Sequence, residues 1–264
     1  MSNFLAGGCS FTFGNELSDD FESRYASKKS WAYKIFENSG ADNYHCCAKG
    51  GIGNSAIARN VFEQINKIEN LKCVTVMWTF ISRYDWAMSP HAALDQKRWA
   101  SITPWETDDG DSESYKTLAD NSIQQKLHQQ RQDNFSKAGV RSLANSIYKY
   151  GANDYHETYL SWKSIIWLQN ILEKKQIPYF FTLADNTLFY DNNEHKKQQD
   201  FLMESLHNEI DLTKWFFFGD RCMGFNQWAL MEDYARGTTH PLDNAHHDAV
   251  KLMLPQFNSI MGDK

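Results

Sequence analysis

Apolar positions in this chain fall into short continuous runs separated by amphipathic stretches. Phe4-Leu5-Ala6 lies within a first strand expected over residues 3–8, and Tyr44 to Ala48 reads as a second. Cys73-Val74-Thr75-Val76-Met77-Trp78 is unbroken and β-rich, the pattern of a strand buried on both faces of a parallel sheet. Ile177 to Leu183 and Trp215-Phe216-Phe217-Phe218 bring the set to about five strands. Trp31 to Asn38 reads as a short helix closed near Gly40. Asn54 or Ser55 is placed to cap a helix reaching about Ile68, with Ile57, Val61, Ile65 and Ile68 on one face. Tyr159 to Lys174 and Asn193 to Leu212 read as further helices. Asp243 or Asn244 opens a C-terminal helix to about Met253, where Pro255 interrupts it. Strands alternating with helices predict a three-layer α/β fold, a mostly parallel sheet with helices on both faces. Right-handed crossovers then line up the strand C-termini, and a ligand crevice, along one edge.

Residues 88–155 break this rhythm. They hold the acidic stretch Asp108-Asp109-Gly110-Asp111-Ser112-Glu113 and a Gln-rich, helical part from about Leu118 to Tyr150 with few apolar residues per turn. This segment reads as a lid-like insertion into a single domain spanning 1–264, a length sufficient to bury a substantial core.

Composition narrows the function classes. Hydrophobic residues make up 42% and aromatics 14%, which fits a globular chain rather than a disordered one. The formal net charge is -6, and lysine pairs such as Lys28-Lys29 and Lys174-Lys175 are scattered, which argues against nucleic acid as a partner. No apolar run approaches the roughly 18–20 residues of a membrane span, so no membrane partner is expected. Leu5-Ala6-Gly7-Gly8-Cys9 lacks the charged and apolar stretches of a leader, and the five cysteines have no framework spacing; both fit a cytoplasmic protein with reduced thiols. No metal is expected: consecutive strand residues His45, Cys46 and Cys47 point to alternate faces, and His246-His247-Asp248 reads as a solvated helix face. Gly51-Ile52-Gly53-Asn54-Ser55-Ala56 matches a dinucleotide fingerprint, but no acidic residue ends the next strand, so no cofactor is expected.

Two distant segments carry candidate chemistry. Gly8-Cys9-Ser10-Phe11-Thr12-Phe13-Gly14 places a serine in a glycine-flanked turn at the end of the first strand. Such a serine either caps a helix or stands exposed as a nucleophile. Thr239-His240-Pro241-Leu242-Asp243-Asn244-Ala245-His246 supplies two histidines near the other end of the chain. Together they suggest one site assembled from both ends. Cys9 is a rival nucleophile on paper, but a cysteine closing a buried strand is usually an inert core thiol.

The order of the Gly-Cys-Ser-Phe-Thr turn, the glycine-rich second turn and the terminal His-Pro segment resembles that of the SGNH/GDSL hydrolases, in a divergent branch with Gly-Cys-Ser-Phe-Thr in place of Gly-Asp-Ser-Leu. The resemblance covers residues 1–86 and roughly 156–254. It implies a flavodoxin-like sheet and metal-free cleavage of an acyl ester, with Ser10 as nucleophile and His240 as base. It also implies an oxyanion hole from the backbone of Ser10 and of Gly51, with Gly53 as the rival position. The third block's asparagine is missing from Trp78 to Asp85, so Asn54 is the candidate side-chain donor, and Arg83 the candidate for binding an anionic group. The acid usually three residues before the histidine is replaced by Gly237, which leaves Asp233 as a candidate orienting acid or a Ser-His dyad with a backbone carbonyl. Asp243 and His246 offer the literal Asp-x-x-His spacing and make His246 a rival base. The implied substrate is a small-molecule or carbohydrate acyl ester, the latter suggested by tryptophans such as Trp86, Trp99 and Trp105. The alternative is a catalytically degenerate binding or structural module. Divergent forms of this kind resemble phage-borne proteins, which would give it a virion-associated role.

Overall fold

A computed structural model of the chain describes residues 1–20, 24–94, 98–108, 122–189 and 200–262. Its strands are β1 (Asn3–Gly8), β2 (Asn43–Cys46), β3 (Leu71–Trp78), β4 (Tyr84–Ala87), β5 (Trp99–Ile102), β6 (Tyr179–Leu183) and β7 (Trp215–Phe216). Five of them form one sheet in the order β2-β1-β3-β6-β7, and every pairing within it is parallel. The chain leaves β1 in one direction to reach β2 and then crosses back to β3. That reversal puts a topological switch point between the C-terminal ends of β1 and β3, where sheets of this topology open a crevice.

The helices are α1 (Ser10–Phe13), α2 (Trp31–Glu37), α3 (Asn54–Ile65), α4 (Ser122–Lys137), α5 (Val140–Ser146), α6 (Asp154–Lys174), α7 (Phe201–Asn208), α8 (Phe225–Met231) and α9 (Asp243–Met261). The alternation of side chains along β1 sends its two faces to different helices. Phe4 meets Phe36 of α2 with ring centroids 5.8 Å apart. Gly7, of opposite parity, lies against Val61 of α3. Helix α6 packs on α3, and α9 packs on α2, so each face of the sheet carries its own layer. β3 is buried from Cys73 to Trp78, as its unbroken apolar run predicts.

The structure departs from the sequence pattern in several places. Helix α3 is capped by Gly53, and Asn54 is its first residue, because the Asn54 side chain is engaged elsewhere. α6 begins at Asp154 rather than near Tyr159, since the Asn153 side chain accepts from the His156 N–H and caps it earlier. α9 runs through Pro255 to Met261, held by burial of Met253 and Phe257 on either side and by a bond from the Gln256 amide to the Trp215 carbonyl. The expected helix from Asn193 to Leu212 is seen as Phe201–Asn208; residues 193–199 lie outside the described residues.

β4, which leads into the inserted segment, pairs antiparallel with β5 inside it. Gly139, with φ of 77°, divides the expected single helix into α4 and α5. Tyr84, Ala100, Ile102, Val140 and Ala144 build a small apolar cluster of their own. Of the acidic stretch only Asp108 is described; it lies 3.5 Å from Arg141 and accepts from Asn145. Among the described residues no helix is long and apolar enough to cross a membrane.

Candidate active site

β1 delivers the chain to the switch point, and α1 begins there. Cys9 is fully buried and stands as the N-cap of α1, which makes it a core thiol. Its carbonyl accepts from the N–H groups of Thr12 and Phe13, at 3.1 and 3.0 Å. The N–H groups of Ser10 and Phe11 come earlier in the turn, where a helix offers no acceptor, so they form its electropositive end. Ser10 does not cap the helix with its side chain. Its Oγ lies 2.7 Å from His240 Nε2, in a hydrogen bond joining residues 230 positions apart.

His240 sits on the segment between α8 and α9. That segment doubles back on itself: the Gly237 N–H donates to the His240 carbonyl at 2.9 Å, and the Leu242 N–H to the Ala235 carbonyl at 3.0 Å. The His240 ring packs edge-on against Phe11, the residue after Ser10, with centroids 4.7 Å apart. One element of the N-terminal turn thus holds both the hydroxyl and the ring that meets it.

The group behind the imidazole is Glu16, which the sequence reading did not single out. Glu16 Oε2 accepts from the backbone N–H groups of Thr239 and His240, both at 3.0 Å, and lies 3.3 Å from His240 Nδ1. Thr239 Oγ1 lies 2.7 Å from the same Nδ1 and 3.4 Å from Glu16 Oε1. The Nδ1 side of the ring therefore faces a hydroxyl and a carboxylate, and Nε2 faces Ser10. Partial burial pushes the Glu16 carboxyl up, but the His240 side chain and the two backbone N–H donors outweigh it and hold the pKa at about 2. Glu16 itself adopts φ of 68°, with its N–H bonded to Asp20 Oδ2 at 3.0 Å. The available signal was negative: a glycine where an acid was expected, and a carboxylate six positions after the serine.

Asp233 is exposed on a left-handed backbone turn after α8, and it is Glu16, not Asp233, that lies against the His240 ring. His246, the rival base, is a core residue rather than part of a solvated face. It is 1% exposed, its Nδ1 accepts from the Trp31 N–H at 3.1 Å, and burial lowers its pKa to about 3. Asp243 turns outward to Lys29 Nζ, at 2.7 Å, and to Ser18.

The second turn approaches Ser10 at Gly50. The Lys49 N–H donates to the Gly8 carbonyl at 3.2 Å, and a β-carbon on Gly50 would lie 3.9 Å from Ser10 Cβ. Gly51 has φ of 76°, a conformation that favours glycine, with open space around it. Gly53 is instead wedged against the Arg83 backbone. Asn54 is not free to donate into the crevice. Its Nδ2 donates to the Thr79 carbonyl and to Ser161 Oγ, both at 3.0 Å, while its Oδ1 accepts from the Thr79 N–H at 2.8 Å. Its amide thus extends the β3 ladder by one position, fixing the strand end beside the crevice. Arg83 is buried at the same edge, with Nη1 3.4 Å from the Ile52 carbonyl and 3.3 Å from Thr79 Oγ1. A cavity of about 360 Å³ under the insertion is lined by Arg83, Tyr84, His156 and Glu157 among others, and includes neither Ser10 nor His240.

No family model matches the chain, and neither does any curated protein. Among solved structures, the chain is similar to a member of the lipolytic G-D-S-L family from Veillonella parvula, at 10% identity over 97% of each chain, with a TM-score of 0.42. It is also similar to a provisionally assigned acylhydrolase from Bacteroides fragilis, at 12% identity over 98% of this chain and 88% of that one, with a TM-score of 0.41.

Proposed function

We propose that this protein is a serine hydrolase that cleaves an acyl ester. The observation that carries the reading is the continuous line of contacts from Ser10 Oγ through the His240 ring to Thr239 and Glu16. A serine hydroxyl is a weak nucleophile until a base takes its proton as it attacks. His240 Nε2 is within reach of that proton. The imidazolium formed is stabilised by the Glu16 carboxylate, which its neighbours keep ionised. Ser10 Oγ bonds to the ester carbonyl carbon, and the negative charge moves to the carbonyl oxygen. The backbone N–H groups of Ser10 and Gly51 are the donors assigned to that oxyanion. Collapse breaks the bond to the alcohol, which takes the proton from His240 and leaves an acyl group on Ser10. Water, deprotonated by the same ring, then releases the acid.

The acid arrives from an unusual place, and this bears on the alternative reading. A degenerate binding module is favoured by two missing groups, the carboxylate before His240 and the third-block asparagine; Glu16 lies against the His240 ring from the other end of the chain, which supports the catalytic reading, while Asn54 is held by Thr79 and Ser161. Trp86, just before the inserted segment, and Trp99 and Trp105 within it are each nearly half exposed, and this supports a substrate whose alcohol is a sugar. A fluorophosphonate probe tests the core of the proposal. It should label the wild-type protein and leave Ser10→Ala unlabelled; equal labelling of both, or of neither, would overturn it.

A further inference from the structure

We infer that Arg83 binds a carboxylate on the ester substrate, so that the preferred substrates are anionic esters; this rests on the Ser10 reading above. Arg83 is 9% exposed. A guanidinium stays charged at any ordinary pH, and a buried charge without a counter-charge is strongly disfavoured unless something compensates it. Arg59 and Arg131 have such a partner, whereas Arg236 bonds to Asn226 Oδ1 and the Thr239 carbonyl. Arg59 makes two bonds to Asp85, at 2.8 and 3.0 Å, and Arg131 lies 2.8 Å from Glu106. Arg83 has no carboxylate within ion-pair distance among the described residues. Among the described residues its hydrogen bonds are two long ones from Nη1, to a carbonyl and a hydroxyl. Nε and Nη2, the edge that forms a paired contact with a carboxylate, have no partner there.

Arg83 lines the cavity of about 360 Å³ under the insertion, and its Nη1 reaches back to the Ile52 carbonyl. Thr79 follows the last residue of β3 at the switch point, and Ile52 follows the glycine turn that lies against Ser10. The guanidinium carbon lies 4.7 Å from the centroid of the Phe80 ring, and Phe80 packs on Phe11, which carries the His240 ring. It also lies 5.2 Å from the Trp105 ring. Trp105 comes from the inserted segment, on a short turn fixed by Glu106 Oε2, which accepts from the Thr103 N–H at 3.0 Å. The insertion therefore supplies one wall of the Arg83 niche and the catalytic turn supplies another. Aromatic faces beside a cation exclude water and strengthen its attraction for an anion.

Two pairs of esters test this: 4-nitrophenyl butyrate against mono-4-nitrophenyl glutarate, and phenyl acetate against 3-carboxyphenyl acetate. The wild-type protein should favour the anionic member of at least one pair. Arg83→Gln should lower kcat/KM on that member by roughly 10- to 100-fold, mostly through KM, and by a clearly smaller factor on the neutral member. No anionic preference, or an equal loss on both members, would overturn the inference. A binding readout separates it from the hydrolase reading. Glutarate should raise the Tm of the wild-type protein above a chloride control of equal ionic strength, and should not do so for Arg83→Gln. A Tm rise with no Ser10 labelling would retain the anion site and discard the hydrolase. Labelling with no difference between the two proteins in glutarate would do the reverse.

Discussion

Glu16 and Gly237 share one volume: a β-carbon on Gly237 would lie 2.5 Å from Glu16 Oε2. The position that would carry the acid in the resembled pattern has to be bare here, because a carboxylate from the N-terminal loop already occupies its space. The expected consequence is that Gly237→Ala displaces Glu16 and lowers kcat toward the level of Glu16→Gln, with intact secondary structure by circular dichroism. Gly237→Asp combined with Glu16→Ala should recover part of the lost rate. Failure of both effects would mean that the two positions are not interchangeable sources of one carboxylate.

Loss of the Glu16 charge should act mainly on turnover. Glu16→Gln keeps the shape but stabilises the His240 imidazolium less, so kcat on a neutral nitrophenyl ester should fall by roughly 10²- to 10⁴-fold with little change in KM. Thr239→Val should cost less, since the carboxylate remains 3.3 Å from Nδ1. A Glu16→Gln enzyme within about threefold of wild type would remove Glu16 from the mechanism.

Acid should weaken the fold through the same carboxyl. Its pKa is held at about 2 in the folded protein, against an ordinary 4.5 for a glutamate in water. The unfolded chain therefore binds the proton more readily than the folded one, and the associated stability is full above the higher value and is lost as pH falls toward the lower. Urea midpoints of wild type and Glu16→Gln should be furthest apart near neutral pH and converge as the pH approaches 2.

His246 produces a second acid-sensitive window, at higher pH. Its folded pKa is about 3 against an ordinary 6.5 for a histidine in water, because burial keeps the ring neutral. Stability should drop by up to about 1.4 kcal/mol per pH unit below that ordinary value, on account of this single group. His246→Gln should flatten the slope between those limits. It should also leave fluorophosphonate labelling of Ser10 in place, whereas His240→Gln should abolish it.

Asn54→Ala would leave the backbone groups of Thr79 without their side-chain partner at a buried strand end. The expected cost is about 2–4 kcal/mol in urea denaturation. A cost below about 1 kcal/mol would show that the ladder closes without this amide.

Much of the scaffold can be read directly from the order of residues. The run from Cys73 to Trp78 could only be a strand covered on both sides, and the segments around Trp31 and Ile57 carry helical apolar spacing; local periodicity suffices for both. The Ser10 turn and the His-Pro segment were also legible as chemistry, because each is a short contiguous pattern. What sequence could not supply is any feature that depends on two distant segments sharing space. Asn54 looks like a cap or a donor until β3 ends beside it, and His246 looks solvated until α9 presses it onto Trp31. Glu16 looks like an ordinary loop acid until Thr239 and His240 turn their N–H groups toward it. Residue order determined the layers and brought out the two candidate segments; three-dimensional packing alone decided which carboxylate lies against the His240 ring and which histidine is buried in the core. The reason is that hydrogen bonding and burial depend on distances between atoms, and separation along a folded chain says little about those.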